Sequence, residues 1–247
     1  PVMFFDKKIK SHRINTLNQK IDQFKKFKLD FLIIIKFNKK FSKLSAEQFI
    51  EKIIFKKTKC KYLYVSKNFR FGFKRKGSIK TLKKFENKFN YKNLITKPFK
   101  KNKKVISSTL IRKKIREGKI KEVNKLLNRN WVVDGKVIKG NKRGRKIGFP
   151  TCNLKMGNYI IPRLGVYAVK VKSSNFNKKG VANIGYRPTF NGQSLLLETN
   201  IFGINKNLYN KVISVSFKKF IRGEKKFKDV EYLKKQIKID IKQAKKQ

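Results

Sequence analysis

Acidic residues are scarce in this chain. Its 247 residues include 14 aspartates and glutamates against 67 lysines and arginines, which gives a formal net charge of +53. Histidine occurs once, as His12, and the two cysteines, Cys60 and Cys152, stand far apart without C-x-x-C spacing. This composition excludes a clustered zinc site and a disulfide framework, and it favours a reducing compartment such as the cytoplasm.

Long apolar runs are also lacking. No segment approaches the roughly 18 consecutive apolar residues that a membrane-spanning helix needs. The start of the sequence has no basic region followed by a long apolar one, as a secretory signal would have. We therefore expect a cytoplasmic protein with no membrane partner, and nothing in the sequence indicates its oligomeric state.

The excess of basic residues has two interpretations. A net charge of this size is typical of proteins that bind nucleic acid or an anionic surface. The lysines, however, are spread along the whole chain, and asparagine, isoleucine and phenylalanine, which share AT-rich codons with lysine, are plentiful too. This distribution favours codon drift over specific nucleic-acid recognition. Nonspecific nucleic-acid binding through lysine-rich runs, such as residues 100–104, stays open as an alternative function.

The apolar patterns differ between the two halves of the chain. In the first half, amphipathic helical patterns alternate with short apolar strands such as residues 31–35 and 62–65, which predicts an α/β domain. In the second half, β-rich runs separated by glycine, asparagine and serine turns precede one terminal helical pattern. That order predicts a small antiparallel β-barrel with a C-terminal helix.

The change of pattern places a domain boundary near residue 123. We expect one domain at residues 1–122 and a second at residues 123–247, both of ordinary size for a folded core. Residues 109–127, with Gly118 among them, are expected to form a helical bridge between the two.

Residues 144–153 read G-R-K-I-G-F-P-T-C-N, a glycine-containing turn that ends in a rigid Pro-Thr step. Gly144 and Gly148 allow the backbone to approach a ligand closely. Thr151 and Asn153 place two neutral oxygens on one face of an extended segment, and such oxygens suit Mg²⁺, while the basic neighbours favour phosphate. The segment indicates a phosphate and magnesium site, although a simple turn between two strands gives a similar string.

Further motifs follow in one order: G-V-Y-A-V at residues 165–169, N-I-G-Y-R-P-T-F at residues 183–190 and L-E-T at residues 197–199. Together with the turn at residues 144–153, they resemble the riboflavin kinase family over about residues 125–247. The resemblance implies transfer of the γ-phosphate of ATP to riboflavin, with FMN as product and Mg²⁺ as cofactor.

The resemblance also implies roles for individual residues. Glu198 becomes the general base toward the riboflavin 5′-hydroxyl, which fits a reaction that needs positioned groups and one proton acceptor. It follows an apolar run that predicts a strand end, and a surface glutamate paired with a lysine is the alternative. Thr151 and Asn153 become ligands of Mg²⁺. Arg187 is a phosphate contact, a flavin contact or a structural ion-pair partner, and Arg222 is either a flavin contact or a structural residue. The implied ATP-binding residues are Gly144, Arg145, Gly148, Phe149, Pro150 and Thr151.

The first half carries a second resemblance. N-F-R-F-G at residues 68–72 and S-S-T-L-I-R at residues 107–112 are similar to the adenylyltransferase module of bifunctional FAD synthetases. The resemblance implies a nucleotidyltransferase-like, Rossmann-like α/β domain. An ordinary helix N-cap followed by a surface arginine is the alternative for residues 107–112. The candidate residues are Asn68, Arg70, Ser107, Ser108, Thr109 and Arg112.

The histidine motif of that family, G-x-F-D-G-x-H-x-G-H, has no counterpart in this sequence, where His12 stands alone. We therefore expect the adenylyltransferase module to lack its first strand and its phosphate-binding turn. Whether the segment lies outside the given sequence or has decayed stays open. The prediction is a riboflavin kinase joined to an incomplete FMN adenylyltransferase, with retention of both activities as an alternative.

Overall fold

The computed structural model describes residues 2–101, 104–140, 142–189 and 192–247. Contacts between residues divide the chain into two compact units. The first unit comprises Pro1–Lys7 and Leu29–Ile106, and the second comprises Lys8–Lys28 and Ser107–Gln247. The predicted boundary near residue 123 separates two parts of the chain with different expected activities. Contacts between residues do not test that division, so it stays a prediction.

The described residues form ten α-helices and ten β-strands. The helices are α1 (Val2–Phe5), α2 (Leu17–Lys25), α3 (Lys39–Ser42), α4 (Ala46–Phe49), α5 (Ile79–Lys84), α6 (Glu86–Phe89), α7 (Ser108–Arg116), α8 (Ile120–Leu127), α9 (Arg143–Lys146) and α10 (Val230–Lys245). The strands are β1 (Tyr62–Ser66), β2 (Lys92–Thr96), β3 (Lys100–Lys101), β4 (Lys104–Val105), β5 (Val132–Ile138), β6 (Cys152–Lys155), β7 (Gly165–Ser173), β8 (Phe176–Thr189), β9 (Gly192–Ile201) and β10 (Val212–Arg222). A π-helical stretch, Ile50–Lys57, continues α4, and Phe73–Arg75 forms a 3-10 turn.

The first unit contains a parallel pair of strands, β1 and β2, in which Tyr62 lies opposite Lys92. Ile50 and Leu82 are fully buried, and they belong to the same apolar cluster as Val65 of β1 and Phe71. Parallel strands need a long crossover connection, and here helical segments supply it. This architecture confirms the predicted α/β class of the first half.

The predicted strand at residues 31–35 is wrong. No strand pairing joins this stretch to any part of the chain that the structure describes, and Phe31 is 88% exposed. A strand forms only where a neighbouring strand accepts and donates the backbone hydrogen bonds. Apolar composition alone therefore did not determine the local structure.

Six strands of the second unit close into an antiparallel barrel in the order β10-β5-β6-β9-β8-β7. Leu154, Leu197 and Ile184 are opposite one another on three neighbouring strands, and all three are fully buried. Since side chains alternate between the faces of a strand, this row marks the buried face of the sheet. The predicted barrel with a C-terminal helix is confirmed.

The expected helical bridge at residues 109–127 is two helices, α7 and α8, and both belong to the second unit. Gly118 separates them with a φ of +73°, a conformation that favours glycine. Asn124 of α8 attaches this pair to the barrel. Its Nδ2 donates to the Phe217 carbonyl at 2.9 Å, and its Oδ1 accepts from the Trp131 amide at 2.8 Å.

Residues 8–28 also belong to the barrel unit, an attachment that the sequence did not predict. Helix α2 begins at a capping box formed by Thr16 and Gln19. Gln19 Nε2 donates to Asp134 Oδ2 at 2.7 Å and to the Val132 carbonyl at 3.2 Å. The Trp131 indole nitrogen donates to the Ile14 carbonyl at 2.9 Å. These bonds join the N-terminal stretch to strand β5 and to the residue before it.

We predict that Gln19→Ala destabilises the second unit, because it removes the bonds to β5 and half of the capping box. The expected loss in free energy of unfolding is about 1–3 kcal/mol. Urea denaturation followed by fluorescence of Trp131, the single tryptophan, measures it. Asn18→Ala, at an exposed position of the same helix, is the matched control. Equal urea midpoints of unfolding for the two variants would contradict the assigned role of Gln19 in attaching α2 to β5.

Candidate active site

The segment before β6 combines a short helix with a tight turn. Helix α9 is followed by Gly148, whose φ of +89° favours glycine, and the Phe149 amide donates to the Gly144 carbonyl at 2.8 Å. A Cβ at Gly144 would collide with the Phe149 carbonyl oxygen. The Pro150 carbonyl accepts a hydrogen bond from Asn200 Nδ2 at 2.7 Å. Both glycines are therefore required by the backbone, and the end of the turn is attached to β9.

The strand register aligns three polar residues. Asn153 of β6 is opposite Glu198 of β9, and Glu198 is opposite Asn183 of β8. Directly opposed side chains on antiparallel strands lie on the same face, with Cβ atoms about 5 Å apart. This row lies on the face opposite to the buried leucines. Glu198 was predicted at a strand end, which is wrong, because β9 continues through Ile201 in pairing with β8.

The side chain of Glu198 is 26% exposed and pairs with Arg187. Arg187 donates from Nε at 3.0 Å and from Nη2 at 2.6 Å, and both bonds end on Glu198 Oε2. Arg187 Nη1 lies 3.7 Å from Glu224 Oε1. Glu198 is thus held by two donors of one arginine, instead of by one of the many lysines.

Asn153 has the environment of a cation ligand. It is only 8% exposed, and its Oδ1 has no hydrogen-bond partner among the residues that the structure describes. A Cβ at Gly140 would collide with the Asn153 amide nitrogen, so the glycine makes room for this side chain. Buried polar oxygens are normally satisfied, and an unsatisfied one suits a hard cation. Within the described ranges, no group of three His, Cys, Asp or Glu residues could hold a metal.

Two cavities of the second unit meet at this row. The basic cavity, of about 540 Å³, contains Asn153 and is lined by Lys139, Lys142, Arg145 and Lys155. The apolar cavity, of about 490 Å³, lies against α10 and is lined by Val166, Val181, Phe227, Leu233 and Ile237. The residues common to both walls are Arg143, Gly144, Thr151, Arg187 and Glu198. Glu198 therefore lies in the walls of a basic cavity and of a largely apolar one.

Arg222 forms a buried ion pair at the edge of the apolar cavity. It binds Asp240 of α10 through Nη2 to Oδ2 at 2.7 Å and through Nε to Oδ1 at 3.0 Å. Gln236 Nε2 donates to the same Oδ1 at 3.0 Å, and the guanidinium lies 5.7 Å from the centre of the Phe227 ring. Arg222 is an ion-pair partner that holds α10 against β10, while contact with a flavin stays a prediction.

The chain matches two protein families and several proteins of known description. Residues 127–247 match the riboflavin kinase family, and residues 1–110 match the FAD synthetase family. The bifunctional riboflavin kinase/FMN adenylyltransferase of Buchnera aphidicola subsp. Schizaphis graminum is 43% identical, over 100% of this chain and 80% of that protein. The Haemophilus influenzae protein of the same description is 37% identical, over 99% of this chain and 80% of that protein.

The chain belongs to the bifunctional riboflavin kinase/FMN adenylyltransferase family. Its barrel is the riboflavin kinase domain, with ATP and riboflavin as substrates and FMN as product. A crystal structure described as a macrolide-efflux protein from Streptococcus pneumoniae has a TM-score of 0.81 at 32% identity, covering 92% of this chain and 73% of that one. Among the described residues, no helix of this riboflavin kinase is both long enough and apolar enough to cross a bilayer.

The candidate residues of the adenylyltransferase module are divided between the two units. Asn68 and Arg70 are exposed in the first unit, while the serine and threonine hydroxyls at residues 107–109 belong to the second. Ser107 is the N-cap of α7, where its Oγ accepts from the Leu110 amide at 3.2 Å. Ser108 and Thr109 are exposed in the first turn. A role for this set in adenylylation stays a prediction.

Arg112 of the same motif makes a structural contact. Its Nε donates to the His12 carbonyl at 2.9 Å, and burial lowers the pKa of Arg112. His12 is half-buried instead of fully solvated, and burial together with the charge of Arg112 lowers its pKa. Phe190 of the N-I-G-Y-R-P-T-F motif, and residues 102 and 103 of the lysine-rich run, lie outside the described residues.

We predict that Cys152 reacts slowly with alkylating reagents. Burial raises the pKa of its thiol to about 11, and Sγ donates to the Thr199 carbonyl at 3.4 Å. Below that pKa the thiol is protonated, and only the thiolate is nucleophilic. Iodoacetamide at pH 8, followed by peptide mass spectrometry, should modify Cys152 far more slowly in the folded riboflavin kinase than in urea. Equal rates in both conditions would refute the assigned burial.

Proposed function

We propose that phosphoryl transfer by this riboflavin kinase takes place where the basic and apolar cavities meet, with Glu198 as the general base. The observation that carries the proposal is the position of Glu198 in the walls of both cavities. A base must lie within hydrogen-bond reach of the hydroxyl whose proton it removes. A riboflavin ring in the apolar cavity and ATP phosphates in the basic cavity would meet at this carboxylate.

The basic cavity is suited to the triphosphate of ATP. Lys142, Arg143, Arg145 and Lys155 provide positive charge, and the turn formed by Gly144 and Gly148 allows the backbone to approach phosphate oxygens. Phe149 and Pro150 complete this turn. On this chemistry we assign six residues to ATP binding, of which Phe149 lines the apolar cavity: Gly144, Arg145, Gly148, Phe149, Pro150 and Thr151.

Thr151 and Asn153 would hold Mg²⁺ in this arrangement. Both line the basic cavity, and the unpaired Oδ1 of Asn153 fits a ligand position. Mg²⁺ is typically held by one or two protein oxygens, with water and phosphate completing its shell. When bound, the ion would neutralise charge on the β- and γ-phosphates during transfer.

The apolar cavity is suited to the isoalloxazine ring of riboflavin. Its volume lies within the roughly 300–1,000 Å³ typical of small-molecule pockets. Phe227, Leu233 and Ile237 offer apolar contact, and the polar row at Glu198 is at one side of the cavity. In this pose Glu198 accepts the proton of the riboflavin 5′-hydroxyl. The hydroxyl oxygen attacks the γ-phosphorus in line, the bond from that phosphorus to the β,γ-bridging oxygen breaks, and ADP leaves.

We further propose that the enzyme functions in a reducing compartment such as the cytoplasm. Both cysteines of the chain, Cys60 and Cys152, are free thiols. Proteins of oxidising compartments commonly use cysteines in disulfides. The substrates are small molecules, and we propose neither a specific nucleic acid nor a membrane as partner.

Glu198→Gln should reduce kcat by about 10²–10⁴-fold, the usual contribution of a general base. The affinity for ATP should change little, because the amide keeps the size of the side chain. Turnover is measured by chromatographic separation of riboflavin, FMN and FAD after incubation with ATP and Mg²⁺. Glu231→Gln, at an exposed position of α10, is the control. Full turnover by the Glu198 variant would rule out the base assignment.

Asn153→Ala should raise the Mg²⁺ concentration needed for half-maximal rate. We expect at least about a tenfold increase, comparable to the loss of a supporting partner at a metal site. The KM for riboflavin should stay nearly constant, because the amide lines only the basic cavity. Asn177→Ala, exposed on β8, is the matched control. An unchanged Mg²⁺ dependence would remove Asn153 from the ligand set.

A further inference from the structure

Arg187 is held from several sides within the second unit. Its Nε and Nη2 bind Glu198 Oε2, and Nη1 donates to the Tyr186 carbonyl at 3.1 Å. With the Asn183 amide oriented by its hydrogen bonds, Oδ1 accepts from Arg187 Nη2 at 2.6 Å, and Nδ2 donates to the Gly165 carbonyl at 3.3 Å. The guanidinium position is therefore fixed by the Tyr186 carbonyl, by Asn183 of β8 and by Glu198 of β9.

A glycine makes this position possible. A Cβ at Gly185 would collide with Glu224 Oε1 and would lie 3.0 Å from Arg187 Nη1. The absence of a side chain at residue 185 lets Arg187 and Glu224 lie over strand β8. A Cβ there would push the Glu224 carboxylate away and would crowd the Arg187 guanidinium.

The donors of Arg187 are already engaged. A guanidinium has five N–H groups, and four of them have the hydrogen-bond partners described above. The remaining Nη1 proton has Glu224 Oε1 nearby, at a nitrogen–oxygen distance of 3.7 Å. Direct binding of a phosphate would require Arg187 to give up these contacts. This geometry argues against a primary role in holding ATP.

Arg187 binds only one of the two carboxylate oxygens of Glu198. Both bonds from Arg187 end on Oε2, so Arg187 does not engage Oε1. The terminal torsion of a glutamate is broad when the side chain is free. A two-donor fork restricts that torsion and determines which oxygen is left for the substrate.

We propose that Arg187 is a positioning residue for phosphoryl transfer, which orients Glu198 so that Oε1 accepts the proton of the riboflavin hydroxyl. The proposal rests on the proposed role of Glu198 as base. Misplacement of a reacting group by about 1 Å can reduce a rate about 100-fold. Loss of the fork should therefore lower the rate of chemistry and leave substrate binding nearly intact.

The first test compares Arg187→Gln and Arg187→Lys with the intact chain. We expect Arg187→Gln to lower kcat about 10- to 100-fold, and Arg187→Lys, which keeps the charge but not the fork, to lower it at least about fivefold. The KM values for ATP and riboflavin, and the affinity for ADP by calorimetry, should stay within about threefold. Arg116→Lys, exposed on α7, is the matched control. Fluorescence of Trp131 reports whether each variant is folded. If Arg187→Gln does not fold, the kinetics of Arg187→Lys alone decide the test.

The second test combines Arg187→Gln with Glu198→Gln. If Arg187 acts through Glu198, its loss in the Glu198→Gln background should cost little further activity in single-turnover measurements. The proposal is overturned if the rate losses of the two substitutions multiply, or if ADP affinity falls in parallel with kcat. Arg187 would then be a phosphate contact. Full kcat in both Arg187 variants, with a slow Glu198→Gln, would reject the positioning role alone. Full kcat in Glu198→Gln would instead reject the base on which it rests.

Discussion

The register of strands β6, β9 and β8 is the constraint on which the site depends. Because Asn153 is opposite Glu198 and Glu198 is opposite Asn183, three polar side chains that are distant in sequence lie side by side on one face. If the pairing of β9 with β6 or with β8 changed by one residue, Glu198 would no longer be opposite Asn153 or Asn183. A slip of the whole strand β9 by one residue would turn Glu198 toward the face of the buried leucines. The row of Leu154, Leu197 and Ile184 prevents such a shift, since it would expose apolar side chains. The packing of the barrel thus specifies the arrangement of the polar row.

Three glycines leave space for polar atoms at or near the row of Asn153, Glu198 and Asn183. Gly140 leaves room for the Asn153 amide, Gly144 for the Phe149 carbonyl, and Gly185 for the pair of Arg187 and Glu224. Each is a place where a Cβ would meet a polar atom. The functional groups can therefore be packed closely while the backbone of the barrel stays regular. At Gly144 even alanine would force the backbone to shift, while at Gly140 and Gly185 it would push a polar side chain aside.

Several features could be predicted from the sequence because they are local or follow a motif. The β-rich runs of the second half predicted the barrel, and the ordered motifs contain Thr151, Arg187 and Glu198, which line both cavities. Features that depend on distant partners could not be predicted. Residues 31–35 have the composition of a strand but no described pairing partner, and the bonds from Gln19 to β5 join residues more than 100 positions apart. The role of Arg187 was ambiguous because its partner is determined by strand register, which no local pattern contains.

The barrel unit is assembled from two stretches of chain, Lys8–Lys28 and Ser107–Gln247, with Leu29–Ile106 between them. During synthesis the first stretch leaves the ribosome long before strand β5, to which it binds, has been made. The side chains of helix α2 that bind β5 therefore have no partner until the intervening unit and β5 have been translated. Joining the two stretches closes a long loop, and the entropic cost of closure rises only slowly with its length. Prior folding of the intervening unit would shorten that loop, so the order of translation favours completion of the first unit before the kinase barrel.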